Sequence, residues 1–439
     1  MNVILLSGGS GRRLWPLSND VRSKQFIKIF KKSDNSYESM VQRIYRQIRT
    51  VDSNACITIA TSKSQVSSIH NQLGVDVNIS VEPCRRDTFA AIALATAYLH
   101  DVKSIPENEA VVVCPVDPFV ENGYFKTLIA MCEAAQNGNE NLVLMGIEPT
   151  YPSEKYGYIK PIKKPDGTCF WSFTEKPTEE KATEYILQGA LWNGGVFAYK
   201  LKYVLDKSKE LLGISDYSTL YANYAELKKI SFDYAVVEQE TSIEVLRYSG
   251  TWKDLGTWNT LTEAMEETTV GDVRLSETCT NVHAINELDV PVLVMGGKNL
   301  VVAASPEGIL VSDKDQSSYI KPFVDAIAQQ VMFAEKSWGS FRVLDVEENS
   351  MTIKVTLSPG EGMNYHSHER RNEVWTIVSG TGRTIVDGME QPIKPGDVIT
   401  MAAGCKHTII AGNEELQLIE VQLGKDIDVS DKHKYEMPL

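Results

Sequence analysis

No stretch of this 439-residue chain approaches the ~20 consecutive apolar residues that cross a bilayer, which excludes a helical membrane span. The apolar start, Val3-Ile4-Leu5-Leu6, is short and runs straight into glycines, so no secretory leader is expected. Positive charge is scarce. Lys and Arg number 44 against 58 Asp and Glu, a net charge of −14 that excludes a broad surface for nucleic acid or acidic lipid. Any polyanion must therefore meet a local basic pocket. The seven cysteines are odd in number and form no Cys-x-x-Cys pair, which reads as reduced thiols in the cytoplasm. The Gly-Lys-Ser/Thr of a Walker A loop is missing, and Leu14 stands where a dinucleotide fingerprint needs its last glycine. With 43% apolar and 23% charged residues the chain is ordinary globular protein, and its length calls for two or three domains.

What is present begins with a strand-like run followed by Ser7-Gly8-Gly9-Ser10-Gly11-Arg12-Arg13, with Lys24 further on. Glycines let backbone amides approach a ligand, and fixed cations beside them suit a polyphosphate. A tight turn beside a solvated basic patch would leave the same trace. Residues 1 to about 146 then alternate apolar runs with helical patterns. Strands are expected near Val3–Leu6, Ile57–Ala60, Val75–Val81, Ala110–Cys114 and Leu142–Ile147, with helices near Tyr37–Arg49, Ser64–Leu73, Asp87–His100 and Tyr124–Asn137. This is a βαβ series, hence a mostly parallel sheet with both faces covered and ligands beyond the carboxyl ends of its strands. Three polar clusters fall at such ends: the glycine turn, Glu82-Pro83-Cys84-Arg85-Arg86-Asp87-Thr88, and Pro115-Val116-Asp117. Asp87 or Thr88 could simply cap a helix. Asp117 could form a turn with Pro118, or hold Mg2+ with phosphate oxygens.

The run Leu6-Ser7-Gly8-Gly9-Ser10-Gly11-Arg12-Arg13-Leu14-Trp15-Pro16-Leu17-Ser18, followed by Ser23-Lys24-Gln25-Phe26, resembles the signature of the sugar-1-phosphate nucleotidyltransferases. Within them it is similar to the mannose-1-phosphate guanylyltransferases. Arg12 stands where that family usually has threonine, Ser23 where it has proline, and Pro118 where it has histidine. The resemblance implies that Arg13 and Lys24 act on phosphates, and that Leu6, Gly8, Gly9, Gly11, Arg12, Glu82, Arg86 and Thr88 bind the nucleotide. It further implies that Asp117 and Asp254 hold Mg2+, and that Gly157, Glu175, Lys176 and Asn193 hold the sugar phosphate. These motifs occur in the family's order from residue 3 to 258, closing with Ser231-Phe232-Asp233-Tyr234 and Trp252-Lys253-Asp254. The implied substrates are GTP and mannose 1-phosphate, with no nucleic acid or membrane partner. The oligomeric state stays open, a homodimer among the options.

Short apolar strands broken by Gly, Asn and Asp follow from Asn281 to Ile327 and resemble the family's β connector, expected to be a spacer. One helix is expected between Lys314 and Lys336. Beyond Trp338 the pattern is all β, with alternation in Met351–Leu357 and Leu416–Val421 and Gly or Pro turns between, as in a small barrel or jelly roll. His366 and His368, two apart, face one side of a strand. Glu373 would face the other side unless the polar run Glu369–Asn372 breaks the strand. With His407 these form a donor set for a divalent metal, Zn, Mn, Co or Fe. The spacing is similar to the cupin pattern and to the type II phosphomannose isomerase domain of bifunctional guanylyltransferases, although the residues around the ligands differ.

The expected architecture is an α/β, doubly wound, Rossmann-like nucleotidyltransferase domain (1–265), a β connector with one helix (266–332) and an all-β cupin, or jelly roll (333–439). Two further readings stay open. One is a nucleotidyltransferase for another sugar 1-phosphate or NTP with a purely structural cupin. The other is a sensor of sugar phosphates or nucleotides that catalyses nothing. Carboxylates paired with Arg13 and Lys24 argue against the sensor, which has no use for metal ligands placed for phosphoryl transfer.

Overall fold

The computed structural model describes every residue except Ser10, Asp20, 164–168, 328–330, Asp426, 428–430 and Leu439. Two compact units are present. The first comprises Met1–Gly9, Gln25–Val66 and Asp76–Glu266, and the second Ser10–Lys24, Ser67–Val75 and Glu267–Leu439.

The first unit is built on a nine-stranded sheet. Its strands are β1 (Asn2–Ser7), β2 (Cys56–Ser62), β3 (Asn78–Glu82), β4 (Ala110–Pro115), β5 (Leu142–Ile147), β6 (Tyr158–Lys163), β7 (Cys169–Thr174), β8 (Leu191–Lys200) and β9 (Ile243–Tyr248). The order is β7-β6-β8-β4-β1-β2-β3, and β5 pairs with both β8 and β9. Strands β3, β2, β1 and β4 are parallel, with Ile4 beside Thr58 and Val113. Strand β8 runs against β4 and turns the sheet mixed. Successive residues Val3, Ile4 and Leu5, and Val111 to Val113, are all fully buried. A strand buried on both faces has layers on both sides, as the unbroken apolar runs require.

Local chemistry sets the helix ends. Ser39 and Gln42 form a capping box, so the helix begins at Met40 and runs to Val51. The expected start at Tyr37 is displaced because Tyr37–Glu38 pairs with Phe30–Lys31 as a short hairpin. Strand β3 starts at Asn78 rather than Val75, because the preceding helix ends at Leu73 and Gly74 takes a left-handed φ of +90°. The helix Asp87–Ala97 is buried at every position from Phe89 to Ala97. Its alanines allow close approach on all sides, as a central helix needs.

In the second unit, strands Thr269–Val270, Val273–Leu275, His283–Asn286, Val292–Val294 and Leu300–Ser305 alternate between two parallel sheets. The chain therefore coils as a short solenoid, closed by the antiparallel strand Gly308–Asp313. Asn281 and Asn299 take left-handed φ values of 51° and 52°, and Asn281 Nδ2 donates to Asn299 Oδ1 at 2.7 Å. These are stacked corners, where asparagine tolerates a conformation other side chains avoid. The expected helix between Lys314 and Lys336 is present at Lys321–Asp325.

The remainder is a two-sheet sandwich. One sheet has the order Phe333–Lys336, Gly339–Glu347, Ser350–Leu357, Leu416–Gly424, Arg371–Ser379, Val398–Met401. The other runs Met389–Ile393, Gly382–Val386, His407–Ala411, His366–Ser367, His433–Lys434. Inward rows change character along the strands. Leu416 and Leu418 give way to Glu420 and Gln422, and Ile377 and Trp375 to Glu373 and Arg371. The register sets Glu373 beside Gln422 and Trp375 beside Glu420. One end of the sandwich is thus hydrocarbon and the other a buried polar chamber. Among the described residues no helix is long and apolar enough to cross a membrane, and Cys56, Cys84, Cys114, Cys132, Cys279 and Cys405 are free thiols.

Candidate functional site

Strand β1 delivers the glycine turn at the carboxyl end of the parallel sheet. Thr61 Oγ1 donates to the Ser7 carbonyl at 3.0 Å, and Gln25 Nε2 to Ser7 Oγ at 3.2 Å. Both bonds are buried, so the start of the turn is fixed. Leu6 accepts at its carbonyl from the Val116 amide at 3.2 Å, which ties the turn to the Asp117 segment. Gly8 and Gly9 are exposed, and Gly9 has φ +117°. A methyl group at either position would meet nothing within 4 Å, so the turn opens onto free space. Glycine is required at position 9 by its φ, not by crowding. Residues Gly11–Leu14 then make one 3-10 turn with Arg12 half-buried and Arg13 exposed, and Lys24 opens a second turn, Lys24–Phe26. Arg12 Nη1 lies 3.0 Å from Asp325 Oδ1.

The Glu82–Thr88 segment is held by its own side chains. Tyr224 donates its hydroxyl to Glu82 Oε2 at 2.8 Å, and burial pushes the Glu82 carboxyl up against the pull of that bond. The Arg86 guanidinium donates to the Ala225 carbonyl, and Thr88 Oγ1 accepts from the Phe232 amide at 2.8 Å. The helix therefore starts without the expected side-chain cap from Thr88. Asp87 is itself in the first turn, at φ +70°, and accepts from the next amide.

The segments that carry Asp117 and Asp254 are brought together by backbone pairing. Strand Trp252–Asp254 runs antiparallel to Pro118–Val120, and Asp254 lies opposite Pro118, the neighbour of Asp117. Pro118 is thus a strand residue rather than a turn former, tolerated at the first position of a short edge strand. Two hard carboxylates at a strand end, both partly exposed, are a donor set that suits Mg2+.

The four sugar-phosphate candidates form one cluster. A Cβ on Gly157 would fall 2.5 Å from Glu175 Oε2 and 2.7 Å from the Phe173 ring, so only glycine leaves that carboxylate its place. Glu175 Oε1 lies 2.6 Å from Lys176 Nζ, and that bond raises the lysine pKa. The Asn193 amide donates to the Gly157 carbonyl at 2.8 Å. Asn193 Nδ2 donates to Asp233 Oδ1 at 2.7 Å. In the sequence Asp233 belongs to a motif but carries no role of its own. Burial pushes its carboxyl up to about 6, opposed by the Asn193 bond. Tyr156 stacks edge-on against Trp192 at 5.0 Å and Trp252 at 5.3 Å. Each ring sits next to a site residue or on its strand: Gly157, Asn193 and Asp254. The aromatic trio fixes their spacing, at about 0.5–1.5 kcal/mol per pair beyond area burial.

The polar chamber of the second unit holds His366, His368 and His407, whose ligand-capable nitrogens lie within 4.8 Å of one another. The strand containing His366 ends at Ser367, and a new one starts at Arg371, so Glu373 faces inward with the histidines. Backbone carbonyls of Asn364, Asp431 and Cys405 engage Nδ1 of His366, His368 and His407 in turn. A backbone acceptor at Nδ1 fixes the tautomer that leaves Nε2 as the electron-pair donor. Burial drives the His366 pKa down to about 2 and the His368 pKa to about 4, so both rings are neutral near pH 7. Glu373 Oε1 lies 3.1 Å from His368 Nε2, and Oε2 lies 3.2 Å from His407 Nε2. Among the described residues Glu373 Oε2 and His407 Nε2 have no hydrogen-bond partner although both are buried. Orphaned donors of this kind fit a divalent metal. Arg371, read from the sequence only as part of a strand-breaking run, donates Nε to Glu373 Oε1 and Nη2 to His368 Nε2, both at 3.0 Å. No local sequence signal distinguishes it from Arg370, which is half-exposed.

Residues 2–270 match the family model described as nucleotidyl transferase, and residues 353–422 match the cupin domain. Both families commonly use divalent metals. The chain is 28% identical to a mannose-1-phosphate guanylyltransferase of Salmonella montevideo over 98% of both chains. It is 27% identical to the xanthan biosynthesis protein XanB of Xanthomonas campestris pv. campestris, strain B100, over 99% of this chain and 97% of that one. Among solved structures, that of mannose-1-phosphate geranyltransferase from Thermus thermophilus is 27% identical, with a TM-score of 0.61. It covers 74% of this chain and 98% of the other. The glycine turn, Asp117, Asp254 and the cluster of Gly157, Glu175, Lys176 and Asn193 all fall inside the first match, which spans more than half of the residues, and the chain belongs to the nucleotidyl transferase family.

Proposed function

We propose that the protein makes GDP-mannose and pyrophosphate from GTP and mannose 1-phosphate. The observation that supports this is the pairing of Trp252–Asp254 with Pro118–Val120, in which Asp254 lies opposite Pro118, the neighbour of Asp117 after β4. The full-length relatives named for mannose 1-phosphate and for xanthan supply the substrate class and a use for the product in polysaccharide assembly.

The attacking group is a phosphate oxygen of the sugar phosphate, already ionised near pH 7, so no general base is needed. That oxygen forms a bond to the α-phosphorus of GTP, and the bond to the bridging oxygen breaks to release pyrophosphate. Positioning and charge neutralisation do the rest. When bound by Asp117 and Asp254, Mg2+ supplies positive charge at the α-phosphate. Arg13 and Lys24 neutralise the departing pyrophosphate. Lys176, aligned by Glu175, grips the sugar phosphate. Asn193, oriented by Asp233, and Glu175 meet sugar hydroxyls in the space that Gly157 leaves. In the cupin, His366, His368, Glu373 and His407 would hold a second divalent metal. Their burial in one chamber also favours a second reading, isomerisation of mannose 6-phosphate there, for which a metal held by these residues would supply Lewis acidity.

The proposal is tested by pyrophosphate release with Mg2+ across four NTPs and a panel of hexose 1-phosphates. Release confined to GTP with mannose 1-phosphate is expected. Strong release with another pair would change the substrates and keep the chemistry, and silence from folded protein would leave the sensor reading. Lys24→Ala is expected to lower kcat by about 10²-fold or more with the thermal midpoint unchanged, and near-normal turnover would remove its role. Gly157→Ala should raise KM for mannose 1-phosphate about tenfold while KM for GTP moves little, because the added methyl strikes Glu175. Elemental analysis should find about one cupin metal per chain in the purified protein and its loss in His368→Ala. Equal metal content in the two would refute the ligand set.

A further inference from the structure

The sequence reads the solenoid as a spacer, yet its side chains grip the segment between the glycine turn and Lys24. Asp325 meets Arg12 at 3.0 Å. Ser305 Oγ donates to the Pro16 carbonyl at 2.6 Å, a buried bond. Gly308 lies flat against the Trp15 ring, where a Cβ would come within 2.6 Å. Asn19 Nδ2 donates to Glu307 Oε1 at 2.7 Å and to the Phe333 carbonyl at 3.0 Å. The Asn19 carbonyl oxygen Oδ1 in turn accepts from the amides of Val21 and Arg22. Arg22 forms a bidentate pair with Glu287, at 2.7 and 2.9 Å, with its guanidinium 5.1 Å from the centre of the Phe333 ring. Its side chain is 8% exposed.

We infer that Asn19 and Arg22, held by Glu307 and Glu287 of the solenoid, are positioning residues that fix the segment bearing Arg13 and Lys24. Contacts recur every three or four residues along it, at 12, 15–16, 19 and 22. Arg13 directly follows the first of them, and Lys24 comes just after the last. A long cation on an unanchored segment must be ordered each time a nucleotide binds, at an entropic cost. Anchoring the backbone beside both cations removes most of that cost beforehand. A bidentate arginine–carboxylate pair fixes direction as well as distance, which a lone charge does not. The buried amide of Asn19 does the same for the turn that leads into Arg22. The inference rests on the assignment of Arg13 and Lys24 to the phosphates of GTP.

The test uses the full chain and the variants Glu287→Gln, Glu307→Gln and the double variant, with Glu287→Asp as the conservative control. Amide hydrogen exchange over residues 11–24 should accelerate about tenfold or more in the glutamine variants. In the same variants kcat/KM for GTP should fall about tenfold or more, while KM for mannose 1-phosphate stays within about twofold. Glu287→Asp should recover part of the loss. Loss of a purely structural contact would shift both substrates together. Unchanged exchange in both single variants overturns the inference, and so does faster exchange with unaltered GTP kinetics. If the wild-type protein releases no pyrophosphate with any pair, the proposed reaction fails by itself. GTP affinity by calorimetry then decides the inference: about tenfold weaker binding in the variants upholds it, and equal binding overturns it.

Discussion

Asp117 and Asp254 come from segments far apart in the chain, and side-chain preferences alone would not hold those segments together. The backbone ladder between Pro118–Val120 and Trp252–Asp254 supplies the restraint. Main-chain bonds set the register, so the placing of Asp254 opposite Pro118, the neighbour of Asp117, follows from a few peptide groups. The rest of the first unit is arranged around that restraint. Strand β4 carries Asp117 to the sheet edge, and its neighbour β1 carries the glycine turn to the same edge. The ring of Trp252 locks the returning strand against Tyr156 and Trp192, and through them against the cluster of Gly157, Glu175 and Asn193.

Much of this was legible in the sequence because it is local. Apolar runs bounded by glycine, proline and acidic residues gave the strands of the parallel sheet within a few positions. Strand ends in such a sheet are where ligands sit, which singled out the segments of Glu82 and Asp117 as candidates. The errors are also local in cause. Tyr37 and Glu38 have helical neighbours, but Ser39 with Gln42 is a stronger signal for where that helix begins. Val75 is apolar, but it follows Gly74 at a helix end and is 67% exposed. What could not be read was long-range. Asp233 faces Asn193 from a distant segment, and Arg371 is one of two adjacent arginines whose roles separate only when the strand shows which points inward. The grip of Glu287 and Glu307 on the signature segment has no periodicity or motif that a reader could follow.

The sandwich of the second unit obeys the same logic with a different outcome. Alternation told which residues of Leu416–Val421 point inward, and Leu416 and Leu418 fit a core. Glu420 follows in the same row and is buried too, so the row itself carries the change from hydrocarbon to charge. Burial and the facing Glu373 carboxylate push the Glu420 pKa up, while burial pulls Lys432 down. A chamber with this many ionisable groups is costly unless they satisfy one another, and each of His366, His368 and His407 is indeed held by a main-chain carbonyl. Such rigidity suits a metal site better than a packing core would.

The separation of Arg22 from Glu287, 265 residues along the chain, bears on how the protein is made. A chain leaving the ribosome at about 5–20 residues per second exposes the signature segment roughly ten to fifty seconds before its anchor exists. Through that interval the parallel strands can collapse while Glu287 and Glu307, the partners of Arg22 and Asn19, are still to come. Ribosomal synthesis therefore allows the parallel sheet to form first, with the contacts of Asn19 and Arg22 made only after the solenoid has emerged. A chain truncated ahead of Glu287 would carry all of residues 2–270, which match the nucleotidyl transferase model, and still lack the partner of Arg22.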